Sequence, residues 1–133
     1  MKRVMSAAIA LLLILSALVV SASAAVSEPA VSPRWTNTST VNPYITFANG
    51  VGYAELVATA KYSPKTFTVD TYVYIQSGSD WVYVTEQHDT KTGMNIGTSC
   101  PFTQVSGGYY KAEFYLTVSG NGTTEELSFT AYS

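Results

Sequence analysis

The sequence predicts an all-β fold, an antiparallel β-sandwich of about seven strands after a cleaved signal peptide. Three observations lead to this prediction. Apolar residues beyond position 34 recur at every second position, which is the period of a strand with one buried face. Turn-forming residues separate these segments about every ten residues, a spacing typical of sandwiches. No segment after the N-terminal apolar run shows the period of a helix.

The N-terminus carries the three parts of a secretory signal peptide. Lys2 and Arg3 form a basic start, an apolar run covers Ala7–Val20, and residues 22–24 are an Ala-Ser-Ala cleavage site. An uncleaved membrane anchor is the alternative, but Ser16 interrupts the run and small residues follow it at once. We therefore expect a secreted, extracellular protein that meets the membrane only through its signal peptide before cleavage.

Three segments of the chain follow from this prediction. Residues 1–24 are the signal peptide, residues 25–33 form a mobile linker with Pro29 and Pro33, and residues 34–133 form the sandwich domain. Removal of residues 1–24 leaves five basic and nine acidic residues, a net charge of −4. This acidic balance argues against nucleic-acid binding, which depends on basic patches.

The first elements of the predicted domain are a loop, a short strand and a longer strand. Trp35 is expected to cover the edge of the sandwich, and Thr36–Asn42 reads as a loop. Strands are expected over Tyr44–Ala48 and Val51–Ala60, joined by the hairpin dipeptide Asn49-Gly50. Inward positions of the second strand are predicted for its small and apolar residues: Ala54, Leu56, Ala58 and Ala60. The opposite face holds Glu55, a residue that is costly to bury unpaired.

The middle of the chain predicts two further strands. A long strand over Thr66–Gln76 points five residues inward: Phe67, Val69, Thr71, Val73 and Ile75. A strand over Trp81–Gln87 follows the turn at Ser77–Asp80, and there Trp81 and Tyr83 compete with Val82 and Val84 for the inside. Alternation leaves that choice open, because a β-bulge near Trp81 would reverse it. Asp89–Gly93 reads as a polar turn.

The last third of the chain predicts a weak strand and a strong hairpin. The weak strand runs from Met94 to Cys100 and is expected to end at Pro101. Ten residues from Tyr109 to Val118 then alternate strictly, and Ser119–Gly122 supplies residues that tolerate positive φ. The partner strand follows around Leu127, and this hairpin is the strongest structural signal in the sequence.

The sequence contains no recognisable catalytic motif. It has no metalloprotease motif, nucleophile elbow, phosphate loop or Cys-x-x-Cys pair, and it predicts no cofactor and no metal site. The one histidine, His88, is expected to be a solvated turn residue. Cys100 is the one cysteine, which excludes an intrachain disulfide and leaves two alternatives, a buried, inert thiol or an exposed thiol for dimerisation or metal binding. We do not expect an enzyme.

Tyrosine is the most informative residue type, because all ten tyrosines lie beyond the signal peptide. Alternation places five of them on the outer faces of the third, sixth and seventh strands: Tyr72, Tyr74, Tyr109, Tyr115 and Tyr132. If those strands are neighbours, the five form an aromatic patch that suits a cell-surface glycan or a partner protein. The alternative is that tyrosine covers an exposed sheet because it is a good strand former.

Short motifs give the chain two resemblances. Tyr110-Lys111-Ala112 resembles the corner tyrosine of immunoglobulin-like sandwiches, with Ala112 where the disulfide cysteine would stand. This implies a disulfide-free immunoglobulin-like Greek key, in which the third, sixth and seventh strands are neighbours in one sheet. The chain also resembles an uncharacterised family of small secreted bacterial proteins through four short motifs: Arg34-Trp35, Gly52-Tyr53-Ala54, Gly78-Ser79-Asp80-Trp81 and Gly108-Tyr109-Tyr110-Lys111. That resemblance implies no activity and no catalytic residue.

The sequence therefore leads to two hypotheses about function. The first is a secreted, non-catalytic binding or surface-interaction module whose tyrosine-rich face holds a glycan or a protein. The second is a structural or self-assembling extracellular protein in which edge strands or the aromatic sheet pair with other copies. The sequence leaves the oligomeric state open.

Overall fold

A computed structural model describes residues 34–133, so the predicted signal peptide and linker lie outside the described residues. The described part of the chain forms seven strands, all paired antiparallel, and the prediction of an all-β sandwich is confirmed. The strands are β1 (Thr38–Ala48), β2 (Val51–Ala60), β3 (Lys65–Ser77), β4 (Asp80–Gly93), β5 (Asn95–Thr103), β6 (Tyr110–Gly120) and β7 (Thr123–Tyr132). Within residues 34–133 there is no helix long and apolar enough to span a membrane.

The strands form a three-stranded sheet of order β1-β2-β5 and a four-stranded sheet of order β4-β3-β6-β7. This is the immunoglobulin-like arrangement in which the fourth strand pairs with the third instead of joining the sheet of the first two. The chain changes sheets between β4 and β5 at a single residue, Met94, whose carbonyl accepts a hydrogen bond from the Ala60 N–H at 2.7 Å. Strands β3, β6 and β7 are therefore direct neighbours.

The core lies between the inner faces of the two sheets, as the alternation predicts. Four small or apolar residues of β2 are buried there: Ala54, Leu56, Ala58 and Ala60. The opposite sheet supplies bulkier residues, including Phe67 and Phe114, which are both completely buried. Alanines in one layer leave room for phenylalanines in the other, and such alternation of sizes fills the interior without voids.

The corner tyrosine implied by the immunoglobulin-like resemblance is present. Tyr110 is 1% exposed, and its hydroxyl accepts a hydrogen bond from the Val105 N–H at 2.7 Å. Its ring packs against Phe102 with centroids 4.7 Å apart. A side chain at Gly108 would meet the Tyr110 ring, since a Cβ there would lie 2.9 Å from a ring carbon. The contact fixes the loop between β5 and β6.

Three predicted boundaries are wrong. The segment Thr36–Asn42 is not all loop, because β1 begins at Thr38 and pairs with β2 from there. The polar segment Asp89–Gly93 is not a turn but the end of β4, paired with β3 as far as Lys65. Strand β5 continues past Pro101 to Thr103, which an edge strand permits because one side of its backbone has no partner strand.

A hydrogen-bond network explains why β1 starts early. The Glu125 carboxylate of β7 accepts hydrogen bonds from the Thr36 N–H at 2.6 Å and from the Thr38 hydroxyl at 2.7 Å. The buried Asn37 amide donates to the Val118 carbonyl at 2.9 Å. These contacts join the first strand of one sheet to the last hairpin of the other.

Trp35, which precedes this network in the chain, lies at the edge of the sandwich as predicted. The Trp35 ring packs edge-on against Phe129 of β7, with centroids 5.8 Å apart. Trp35 is half-buried there and covers the side of the sandwich at which β1 and β7 meet. The expected cover of the sandwich edge is confirmed.

Candidate binding face

The outer surface of the four-stranded sheet collects the five tyrosines that the sequence singles out. Tyr72 and Tyr74 lie on β3, Tyr115 on β6 and Tyr132 on β7, while Tyr109 directly precedes β6. The register places Lys111 between Tyr74 and Tyr132, and Tyr115 beside Asp70. Because β3, β6 and β7 are neighbours, all five rings share one surface.

Two more aromatic residues complete this surface, and the sequence left their direction open. In β4 the pairing with β3 shifts between Val73 and Tyr74, so that Val84 is an extra residue in the ladder. This bulge turns Val84 toward the core and places Tyr83 opposite Tyr74 on the outside. Alternation carries no signal for the bulge, which is why sequence reasoning could not assign Trp81 and Tyr83.

We name this surface the aromatic face and define it by seven residues: Tyr72, Tyr74, Trp81, Tyr83, Tyr109, Tyr115 and Tyr132. Each ring contacts another ring. Tyr72 meets Tyr115 edge-on with centroids 5.8 Å apart, and Tyr74 meets Tyr83 in the same way at 6.3 Å. The remaining three rings, of Trp81, Tyr109 and Tyr132, contact one another with centroids 5.7 to 6.1 Å apart.

Lys111 joins the parts of the aromatic face. Its Nζ lies 5.0 Å from the ring centroids of both Tyr74 and Trp81, and it forms an ion pair with Glu113 at 3.0 Å. A cation over an aromatic ring is attracted by the negative charge of the ring face. Lys111 thus lies between rings of the aromatic face and not at its border.

Carboxylates surround the tyrosine pair at the other end of the face. Tyr72 lies in register between Glu86 of β4 and Glu113 of β6. Asp70 lies one row further along β3 and shares a hydrogen bond with His88, Oδ1 to Nδ1 at 2.5 Å. His88 is thus a strand residue, not the predicted turn residue, although its side chain is 63% exposed.

The acidic surroundings act on two phenols of the aromatic face. The Glu113 carboxylate raises the pKa of Tyr115, first by charge repulsion of the phenolate and second by accepting a hydrogen bond from the hydroxyl at 3.2 Å. Desolvation raises the pKa of Tyr83, and the negative charge of Glu86 adds to that effect. A tyrosine hydroxyl is already neutral at physiological pH, and the raised pKa values extend the range over which these two can donate hydrogen bonds.

A shallow groove of about 370 Å³ runs between these residues. Its lining consists of Asp70, Tyr72, Tyr74 and Tyr115, and we name it the tyrosine groove. A second depression of about 400 Å³ begins on the other side of Tyr115 and continues along β6 and β7. Tyr115, which is 48% exposed, forms the ridge between the two.

The groups that could carry catalysis lie apart from one another. Cys100 is buried on the inner face of β5, and burial together with the charge of Asp89 raises the pKa of its thiol. His88 projects outward from the other sheet, so a Cys100–His88 pair does not form. Among residues 34–133 no three acidic, histidine or cysteine side chains converge as metal ligands.

Comparison with known proteins yields structural neighbours alone. No family model matches the chain, and no curated protein matches it. The solution structure of R. palustris CsgH is similar with a TM-score of 0.42 and 15% identity, covering 70% of this chain and 90% of that one. The E. coli curli protein CsgC is similar with a TM-score of 0.43 and 15% identity, covering 68% and 95%.

A plant protein shows the same degree of likeness. The solution structure of AT1g01470 from Arabidopsis thaliana has a TM-score of 0.44 and 11% identity, covering 79% of this chain and 88% of that one. Similarities this distant extend to bacterial and plant proteins alike and carry no argument about function. The resemblance to a family of small secreted bacterial proteins stays a prediction.

Proposed function

We propose that the protein is a secreted, non-catalytic binding module whose aromatic face holds a glycan or a partner protein. The observation that carries the proposal is the contact of seven aromatic rings on a surface that the core does not use. Four of these rings remain substantially exposed: Tyr109 at 42%, Tyr115 at 48%, Tyr83 at 54% and Tyr132 at 56%. A contiguous exposed apolar patch edged by polar groups is typical of interaction sites.

The chemistry of the face suits recognition. Aromatic rings supply a large contact area that loses little conformational entropy on binding, and phenol hydroxyls supply hydrogen bonds at the same surface. The signal peptide predicted for residues 1–24 would bring this face into contact with extracellular glycans or proteins. Tyrosine that merely covers an exposed sheet would need no ligand, and this alternative is what the experiment must separate.

The test is a glycan-array and cell-wall pull-down experiment with the mature chain, residues 25–133. The matched variant is Tyr72→Ala/Tyr115→Ala, which removes the ring pair at the tyrosine groove. We expect the mature chain to retain a ligand and the double variant to lose it while its circular dichroism spectrum stays unchanged. Binding that survives in a folded double variant would remove the aromatic face as the site.

One observation favours self-association through β7 as a second candidate function. Edge strands usually carry features that block pairing with other chains. Pro43 lies in β1, Pro101 in β5 and the bulge at Val84 in β4, whereas the second half of β7, residues 127–132, contains no proline, charged residue or bulge. Sedimentation velocity at increasing concentration distinguishes the two candidates, because self-association predicts a rising sedimentation coefficient and a monomeric binder predicts a constant one.

A further inference from the structure

We propose that the tyrosine groove binds the guanidinium group of an arginine in a basic segment of a partner protein. The inference rests on the proposed function and names the ligand class for the same face. It depends on the charge around the groove, on the orientation of its rings and on a cation that already occupies the neighbouring position.

The groove has a surplus of negative charge. Three carboxylates lie in register beside its rings, from Asp70, Glu86 and Glu113. Lys111 pairs with Glu113, and His88 pairs with Asp70 but is charged only when protonated. Within residues 34–133, Glu86 forms no salt bridge, and it lies directly opposite Tyr72 on the edge strand β4. A cation is therefore the ligand that complements this surface.

The aromatic face already holds one cation, the Lys111 ammonium group, in the way that we propose for the arginine of a partner protein. Lys111 Nζ lies 5.0 Å from the centroid of Tyr74 and 5.0 Å from that of Trp81, with the Glu113 carboxylate 3.0 Å away. The next row of the sheet repeats these components, with the Tyr72 ring between the carboxylates of Glu86 and Glu113. That row has one ring and two carboxylates but no cation of its own.

The geometry favours arginine as the side chain that fills this row. A guanidinium group is planar, so that it stacks on an aromatic ring and presents N–H groups to a carboxylate at its edge. The Tyr72 and Tyr115 rings meet at 77°, which leaves a ring face on one side and a ring edge on the other for a flat group. The groove is open to solvent, which lets a long side chain enter without displacing protein atoms.

The experiment measures fluorescence anisotropy of two labelled octapeptides titrated with the mature chain. One peptide alternates arginine and serine, and the other carries citrulline, the uncharged isostere of arginine, at the same positions. We expect the arginine peptide to bind at least about tenfold more tightly, with an affinity that falls as salt rises. Equal affinity for the two peptides would overturn the proposal.

Two substitutions that each remove one negative charge distinguish binding in the tyrosine groove from attraction by the overall negative charge of the protein. Glu86→Gln removes a carboxylate beside Tyr72 and is expected to weaken arginine binding about fivefold, the effect of one charge at close range. Glu55→Gln makes the same change on the outer face of the other sheet, where Glu55 accepts a hydrogen bond from Thr46. We expect Glu55→Gln to leave the affinity unchanged, and equal losses in both variants would overturn the proposal.

A second pair of substitutions tests the ring. Tyr72→Leu removes the π-system and is expected to weaken binding about threefold, while Tyr72→Phe retains the ring and the affinity. An unchanged affinity in Tyr72→Leu would reduce the interaction to charge alone and overturn the proposal. If neutral glycans bind instead, and Tyr72→Leu weakens them while Glu86→Gln does not, the arginine inference fails and the proposed function stands.

Discussion

Both faces of the four-stranded sheet carry aromatic rings, and the two sets differ in what they contact. Phe114 and Tyr115 are consecutive residues of β6, yet Phe114 is completely buried and Tyr115 is 48% exposed. The inner rings pack against the residues of the opposite sheet. The outer rings pack against one another and form a surface. Burial in the core therefore explains the inner set of rings, and it does not explain the outer set.

The outer face of the three-stranded sheet provides a second contrast. It follows the same alternation and holds Tyr44, Tyr53 and Val57 along β1 and β2. Among the described residues no aromatic pair forms on that face, whereas five pairs form on the aromatic face. Strand propensity for tyrosine would act equally on both sheets. The clustering on one of them is the feature that strand propensity leaves unexplained.

The largest effect that we predict concerns the consecutive residues Phe114 and Tyr115. Phe114→Ala should lower the free energy of unfolding by about 3 to 5 kcal/mol, because it removes buried area and leaves a cavity. Tyr115→Ala should lower it by about 1 kcal/mol or less, because an exposed ring loses one edge-on contact. Urea denaturation monitored by tryptophan fluorescence measures both. Similar losses of unfolding free energy in the two variants would contradict the difference that we infer between the inner and outer rings.

An intermediate effect is predicted for the corner tyrosine. Tyr110→Phe keeps the buried ring but leaves the Val105 N–H without its acceptor, which should cost about 1 to 3 kcal/mol of unfolding free energy. Tyr109→Phe is the matched control, since Tyr109 is the preceding residue and projects from the aromatic face. Chemical denaturation of both variants should show a loss in Tyr110→Phe alone, and a stable Tyr110→Phe would show that the corner contact contributes little.

The smallest predicted effect is electrostatic and leaves the fold unchanged. Glu113→Gln removes the negative charge that opposes ionisation of the Tyr115 phenol and replaces its carboxylate acceptor. The pKa of Tyr115 should therefore fall toward the ordinary tyrosine value. An NMR titration of the Tyr115 ring resonance in the two proteins measures this shift. A Tyr115 pKa that is unchanged or higher in Glu113→Gln would mean that the Glu113 carboxylate does not raise the pKa of Tyr115.

Much of the candidate site was predictable from local patterns. The strict alternation in β3 and β6 placed Tyr72, Tyr74 and Tyr115 on the outside, because successive side chains of a strand point to opposite faces. The resemblance to an immunoglobulin-like sandwich implied that β3, β6 and β7 are neighbours, and the observed strand order confirms this. The direction of a side chain in a regular strand can thus be predicted from the strand period. Its contacts with distant strands can be predicted only when the strand order is known.

The sequence by itself determined the strands, the direction of most side chains and the Asn-Gly turn between β1 and β2. Asn49 and Gly50 both adopt positive φ there, as that dipeptide predicts. The tertiary structure alone decided the position of Lys111 between two rings, the hydrogen bond of His88 with Asp70, and the outward direction of Trp81. These features depend on the register between strands and on a bulge in β4, and neither leaves a trace in the periodicity of a single segment.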